Sequence, residues 1–266
     1  MIEMFFVDVH MHLTHEQFNV DRNDVITRAK QAGIGAVIVN GLEPISNRQI
    51  LALAAQEPML KPALGIYPAD AVAKLLTTEA HREIRVFDVD AEIDWIASQA
   101  SQIIAIGECG LDGHWLGPDT FAEQERVFHR LIDVAKSHDL PLIVHTRKLE
   151  ERAMDIIRDH GITRIDFHCF GGKSKLAIRG AEQHGWSFSI PAHARRSGSF
   201  TKLLRELPPE SILTETDAPY LPPEPGARNE PMNVAGTVAF LAELRSWTLE
   251  QAKEQVWKNY LTLFRQ

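Results

Sequence analysis

The chain of 266 residues has the length of one large α/β domain, and its 44% hydrophobic and 24% charged residues are those of an ordinary globular protein. A formal net charge of −8 argues against a broad DNA-binding face, because sequence-independent affinity for a duplex needs many cationic contacts to phosphate. No run approaches the ~18 consecutive apolar residues that cross a bilayer, a first strand close to Met1 leaves no room for a leader, and two cysteines, Cys109 and Cys169, are too few for a disulfide framework. The expectation is a cytoplasmic protein with no membrane partner.

In chain order, residues 5–13 read first as a strand. Its alternation places Asp8, His10 and His12 on one face, and Phe5, Val7, Val9, Met11 and Leu13 on the other. Taken singly, the His-x-His pair fits either a hydrogen-bonded core pair or a metal site. Further apolar runs of strand length follow at 36–40, 62–66, 103–108, 142–145, 164–168, 186–190 and 212–216. Between and after them lie helix-like segments at 21–31, 47–55, 91–100, 121–138, 149–160, 175–184, 200–207, 234–247 and 249–264. Strands alternating with helices imply parallel pairing through right-handed crossovers, and eight such units predict a single (β/α)8 barrel spanning residues 1–266. A doubly wound sheet is disfavoured, since no Gly-x-Gly-x-x-Gly follows the first strand. The proline-rich stretch 219–231 reads as a loop on the active face.

Barrel enzymes build their sites at the carboxyl ends of the strands. Six metal-binding side chains end apolar runs there: His10 and His12 on the first strand, Glu108 on the fourth, His145 on the fifth, His168 on the sixth and Asp217 on the eighth. Each alone fits a buried pair or a strand-end hydrogen bond. Together, four imidazoles and two carboxylates exceed the needs of one tetrahedral ion and suit two divalent ions, Mg²⁺, Mn²⁺ or Zn²⁺, that activate water for hydrolysis.

The motifs Asp8-Val-His-Met-His12, Gly107-Glu-Cys-Gly-Leu-Asp112, Val144-His-Thr-Arg147, His168-Cys-Phe-Gly-Gly172, Glu215-Thr-Asp-Ala-Pro-Tyr-Leu221 and Arg228-Asn-Glu-Pro231 give the chain a resemblance to the TatD-type metal-dependent hydrolases of the amidohydrolase superfamily. The resemblance implies phosphodiester hydrolysis on DNA ends, single-stranded and in the 3′ to 5′ direction; no obligate protein partner is evident from the sequence. It further implies that His10, His12 and Asp217 hold one ion, that His145 and His168 hold the other, that Glu108 bridges them, and that Asp217 orients or deprotonates the nucleophile. Arg147 and Arg228 match phosphate-contacting positions, and an arginine fork suits phosphate. Tyr67 and Glu215 complete the expected substrate-side set, Glu215 by fixing the ring of a ligand histidine.

Two departures stand out. Tyr67, in Leu64-Gly-Ile-Tyr-Pro-Ala69, replaces a family histidine, and Ser189-Ile-Pro-Ala-His-Ala-Arg-Arg196 brings His193, Arg195 and Arg196 into a rim loop, as a phosphate grip or a solvated turn. The charged stretch from Glu79 to Asp90 is either a partner-contacting insertion or plain surface. Trp115, Phe170 and Tyr220 lie near the ligand positions, as base-stacking rings or as packing. The alternatives to a nuclease are an amide, ester or phosphotriester hydrolase on the same scaffold, and a subunit of a larger assembly.

Overall fold

The computed structural model describes residues 4–76 and 84–265. Among these, eight strands pair in parallel in chain order: β1 (Phe6–Met11), β2 (Ile34–Asn40), β3 (Leu60–Leu64), β4 (Ala105–Asp112), β5 (Leu142–Arg147), β6 (Ile165–His168), β7 (Ser187–Ile190) and β8 (Ile212–Thr214). The seam between β8 and β1 closes just beyond the strand ends. Asp217 N–H donates to the His10 carbonyl at 2.9 Å, and His12 N–H donates to the Ala218 carbonyl at 2.8 Å. Lower down, the Thr214 hydroxyl donates to the Val7 carbonyl at 2.9 Å. This is the expected barrel, with ligand-bearing segments forming its last stitches.

The crossover helices are α1 (Arg22–Gln31), α2 (Pro44–Gln56), α3 (Pro68–Ala71), α4 (Val89–Ser98), α5 (Phe121–Ser137), α6 (Glu150–His160), α7 (Ser174–His184) and α8 (Gly198–Glu206), and α9 (Val234–Arg245) and α10 (Leu249–Phe264) close the chain. In α5, buried Gln124, Val127, Phe128, Leu131, Ile132 and Ala135 recur at three- and four-residue spacing, the stripe that turns a helix onto a sheet. Helix ends carry the expected signals. α6 stops at Gly161 with φ +68°, and α10 starts with a reciprocal Thr248–Gln251 capping box. Asn259 on α10 donates to the Ile212 carbonyl at 2.7 Å and thereby docks the last helix behind β8.

All eight strands differ from the sequence reading by one or more residues at their ends, and three of the differences bear on the site. β1 ends at Met11 and β8 at Thr214, so His12 and Asp217 stand on the segments that leave the sheet. β4 begins at Ala105 and continues to Asp112, which makes Glu108 a mid-strand residue. The reason is an extra residue in β4: Ile106 faces Leu142 and Cys109 faces Val144, so three steps on β4 match two on β5. Gly110 follows with φ +144°, and a Cβ there would fall 2.0 Å from the His145 carbonyl oxygen, so only glycine lets the two strands meet. Of the charged stretch between Glu79 and Asp90, residues 79–83 lie outside the described residues. Its end is helical surface, where Asp88 caps α4 and Asp90 pairs with Arg126 at 2.8 Å.

Candidate metal centre

The barrel mouth gathers all six expected ligands. Glu108 occupies the middle, with its two oxygens facing different histidine pairs. Oε2 lies 3.5 Å from Nε2 of both His10 and His12, while Oε1 lies 2.9 Å from His145 Nδ1 and 3.1 Å from His168 Nε2. The bulge in β4 turns this carboxylate inward between the pairs. Asp217 Oδ1 completes the first pair at 3.8 Å from His10 Nε2 and 3.4 Å from His12 Nε2. Asp217 has a left-handed backbone, φ +57°, uncommon for a residue with a side chain and held here by its hydrogen bond to His10.

Three overlapping trios have ligand atoms within 4.8 Å of one another: His10, His12 and Glu108; Glu108, His145 and His168; and His10, His168 and Asp217. The electrostatics suit a cation there. Burial would push the Glu108 carboxyl up, but His168, His10 and His145 outweigh it and hold the group well below the usual carboxylate range. Burial and the stacked His168 ring, 3.8 Å away, press His10 down to about 4. It is therefore a neutral imidazole, the form that binds metal. Burial also opposes charge on His12, His145 and His168, yet the carboxylates lift all three above the ordinary imidazole value. A pocket whose carboxylates favour positive charge this strongly, with four imidazole nitrogens converging on it, fits divalent metal.

Three of the four rings meet a polar group from behind, while His10 Nδ1 is buried without a hydrogen-bond partner among the described residues. His12 Nδ1 faces the Asn40 carbonyl at 3.3 Å, His145 Nε2 faces Asp112 Oδ2 at 3.1 Å, and His168 Nδ1 lies 3.6 Å from Glu215 Oε2. Asp112 is part of this cluster, and the sequence reading gave it no role. The signal was its place at the end of the Gly107–Asp112 motif, two turns of alternation beyond Glu108 on the same strand face. Asp8 was also left without a role, although it shares a face with His10 and His12. It is fully buried and accepts the Thr216 N–H at 2.9 Å, the Thr216 hydroxyl at 2.5 Å and the His10 N–H at 3.2 Å. It pins the segment carrying Asp217 to the strand carrying His10. Glu215 is fully buried, touching His168 and accepting the Ser189 hydroxyl at 2.6 Å, so its influence on substrate passes through the histidine. Ser189 also reaches Asp166, whose carboxyl is pushed up to about 8 by burial and by Glu215.

The substrate-side set divides. Arg147, at the exposed end of β5, holds its guanidinium 5.4 Å from the Trp115 ring. Arg228 is committed elsewhere: it donates to Asp21 at 2.8 and 2.6 Å, to Glu230 at 2.7 Å and to the Gln17 carbonyl at 2.6 Å. Tyr67 places its hydroxyl 3.3 Å from Asp112 and its ring edge-on to His145. The arginines of the rim loop are paired within the protein. Arg195 pairs with Glu243 at 2.7 Å, and Arg196 donates to the Pro222 carbonyl at 2.7 Å, tying its loop to the one after β8. Cys109 is buried, with its thiol directed at the Ile143 carbonyl, and Cys169 has no place in the ligand trios.

The model of the family described as TatD related DNase matches residues 7–265. Human deoxyribonuclease TATDN3 is 32% identical over 262 residues, covering 97% of this chain and 94% of that protein. The 3′-5′ ssDNA/RNA exonuclease TatD of Enterobacter lignolyticus is 29% identical over 268 residues, covering 97% of this chain and 98% of that one. Among solved structures, YjjV, a TatD homologue from Escherichia coli, superposes with a TM-score of 0.83 at 28% identity, covering 98% of both chains.

Proposed function

The chain belongs to the TatD-related DNase family of metal-dependent hydrolases, and from that premise we propose that it is a 3′ to 5′ exodeoxyribonuclease that shortens single-stranded DNA with two divalent ions, Mg²⁺, Mn²⁺ or Zn²⁺. The observation that carries this reading is the division of Glu108 between two histidine pairs, one carboxylate oxygen to each. His10, His12 and Asp217 would hold one ion and His145 and His168 the other, with Glu108 spanning both. Bound there, divalent ions make water acidic enough to attack near neutral pH and offset charge on the phosphate.

The protein's own groups supply the rest. Burial would raise the Asp217 carboxyl, but His12, His168 and His10 hold it below the usual range, so it is an ionised acceptor for the proton lost by the attacking water. Asp112 and Glu215 keep the His145 and His168 rings turned inward. Arg147, exposed at the end of β5, takes a phosphate oxygen of the strand in its fork. One or two local cations of this kind reconcile an acidic protein with a nucleic-acid substrate.

The test is incubation with 3′- and 5′-labelled single-stranded DNA and each of the three metals, beside Glu108→Ala. Stepwise shortening from the 3′ end that requires metal and vanishes in the variant is expected. Intact DNA with every metal, together with hydrolysis of a small ester or amide, would move the assignment to another hydrolase on this scaffold.

A further inference from the structure

Two large aromatic rings stand exposed at the mouth, on opposite sides of the ligand cluster. Trp115, 46% exposed, follows β4, and Tyr220, 45% exposed, follows β8. In a closed barrel ordered β1 to β8, strands four places apart in either direction face each other across the diameter. The Tyr220 ring is 6.2 Å from the His12 ring and 5.5 Å from the His15 ring. On the other side, Trp115 N–H donates at 2.9 Å to Asp112, whose second oxygen faces His145. Phe170, by contrast, is 1% exposed and packed against Phe167 and Phe188.

Both rings project from backbone that buried polar side chains hold in place. The fully buried Asp112 accepts the N–H groups of His114 and Trp115 at 2.7 and 2.9 Å. The fully buried Asn229 donates to the carbonyls of Thr216, Tyr220 and Leu221 at 2.8, 2.7 and 3.1 Å. A rigid backbone beneath a solvent-facing ring lowers the ordering cost of binding a flat partner. The Arg147 guanidinium stands over the Trp115 ring, 5.4 Å from its centre, and adds positive charge, while the His114 ring packs edge-on against the same ring at 4.4 Å.

We propose that Trp115 and Tyr220 are two base-stacking platforms, which hold the nucleobases on either side of the phosphodiester placed at Glu108. The proposal rests on the nuclease reading and narrows its substrate. Stacking accepts any base, so cleavage is tolerant of sequence, and it requires unpaired bases, so single strands are favoured over duplex. Arg147 then takes the phosphate next to the Trp115-stacked nucleotide.

The experiment compares a short thymidine oligonucleotide with one of equal length that carries stable abasic residues on both sides of its terminal 3′ phosphodiester. For the metal-loaded wild type, KM is expected to be roughly tenfold or more higher on the abasic strand. In Trp115→Ala and in Tyr220→Ala that ratio falls part of the way, since each keeps the other platform, and in the double variant it collapses toward one while kcat is largely kept; Trp115→Phe restores most of what Trp115→Ala loses. Equal KM rises on both strands would mark a structural defect and overturn the proposal, as would an unchanged ratio. Binding is read separately, by quenching of tryptophan fluorescence with the thymidine strand. If the wild type cleaves neither strand, the nuclease reading fails; quenching that disappears in Trp115→Phe then still supports the platform, and no quenching overturns it.

Discussion

Asp112 shows how a single carboxylate joins the histidine cluster to the rim. One oxygen orients the His145 ring, and the other holds the turn that carries Trp115. Groups that orient a ligand histidine typically contribute 10–100-fold to metal affinity or activity. Asp112→Ala is therefore expected to weaken metal binding by about that factor, measured by calorimetric titration, whereas Tyr67→Phe, which removes only a hydroxyl 3.3 Å from the same carboxylate, changes it far less. Asp217→Asn addresses the chemistry itself. Without an ionised acceptor for the water proton, kcat is expected to fall by about 10²–10⁴ under saturating metal, as general-base catalysis of ordinary strength implies. Steady-state assays at several metal concentrations separate that loss from weaker metal binding.

At the scale of elements, the site depends on how tightly β4 and β5 approach. Gly110→Ala is expected to cost about 3 kcal/mol, because it combines a backbone angle foreign to alanine with a Cβ 2.0 Å from the His145 carbonyl oxygen. Gly161→Ala, at φ +68° with no atom within 4 Å of the added carbon, should cost only about 1 kcal/mol. Urea midpoints measure both. A second element-scale device joins α1 to the loop after β8: Arg228 and Arg28 converge on Asp21 and Glu230. Arg228, then Arg28, hold the Asp21 carboxyl down to about 2. A depressed folded value means that the pair stabilises the fold above the ordinary aspartate range, and that this contribution is lost as pH falls toward 2. Asp21→Asn is thus expected to flatten the acid side of the stability curve between those limits, and added salt to shrink the difference, since the pair is solvent-screened.

Across the whole molecule, the barrel and the six side chains gathered at its mouth were legible because both rest on local periodicity: strand-length runs alternate with helical ones, and His10, His12, Glu108, His145, His168 and Asp217 each close such a run. What was hidden depends on pairing across distance. The bulge that sets Glu108 between two histidine pairs exists only once β4 lies against β5. Asp8 meets Thr216 some two hundred residues later, and Arg228 finds Asp21 only when α1 and the last rim loop are neighbours. The same long-range closure predicts how metal couples to stability. The seam between β1 and β8 is stitched by Asp217 N–H to His10 and His12 N–H to Ala218, so the backbone of residues proposed to bind metal also holds the barrel shut. An ion that binds only the folded chain adds RT ln(1 + [L]/Kd), about 2.7 kcal/mol at a hundredfold excess over Kd. For a chain of this size that corresponds to a rise in Tm of roughly 5–10 °C. Chelation should therefore lower Tm by that amount, and hydrogen exchange should quicken first in β1 and in residues 214–218, where the seam lies. Glu108→Gln, which cannot span both histidine pairs with two charged oxygens, is expected to lose most of the metal-dependent rise. An equal rise in that variant would mean that the ion binds and stabilises away from the seam.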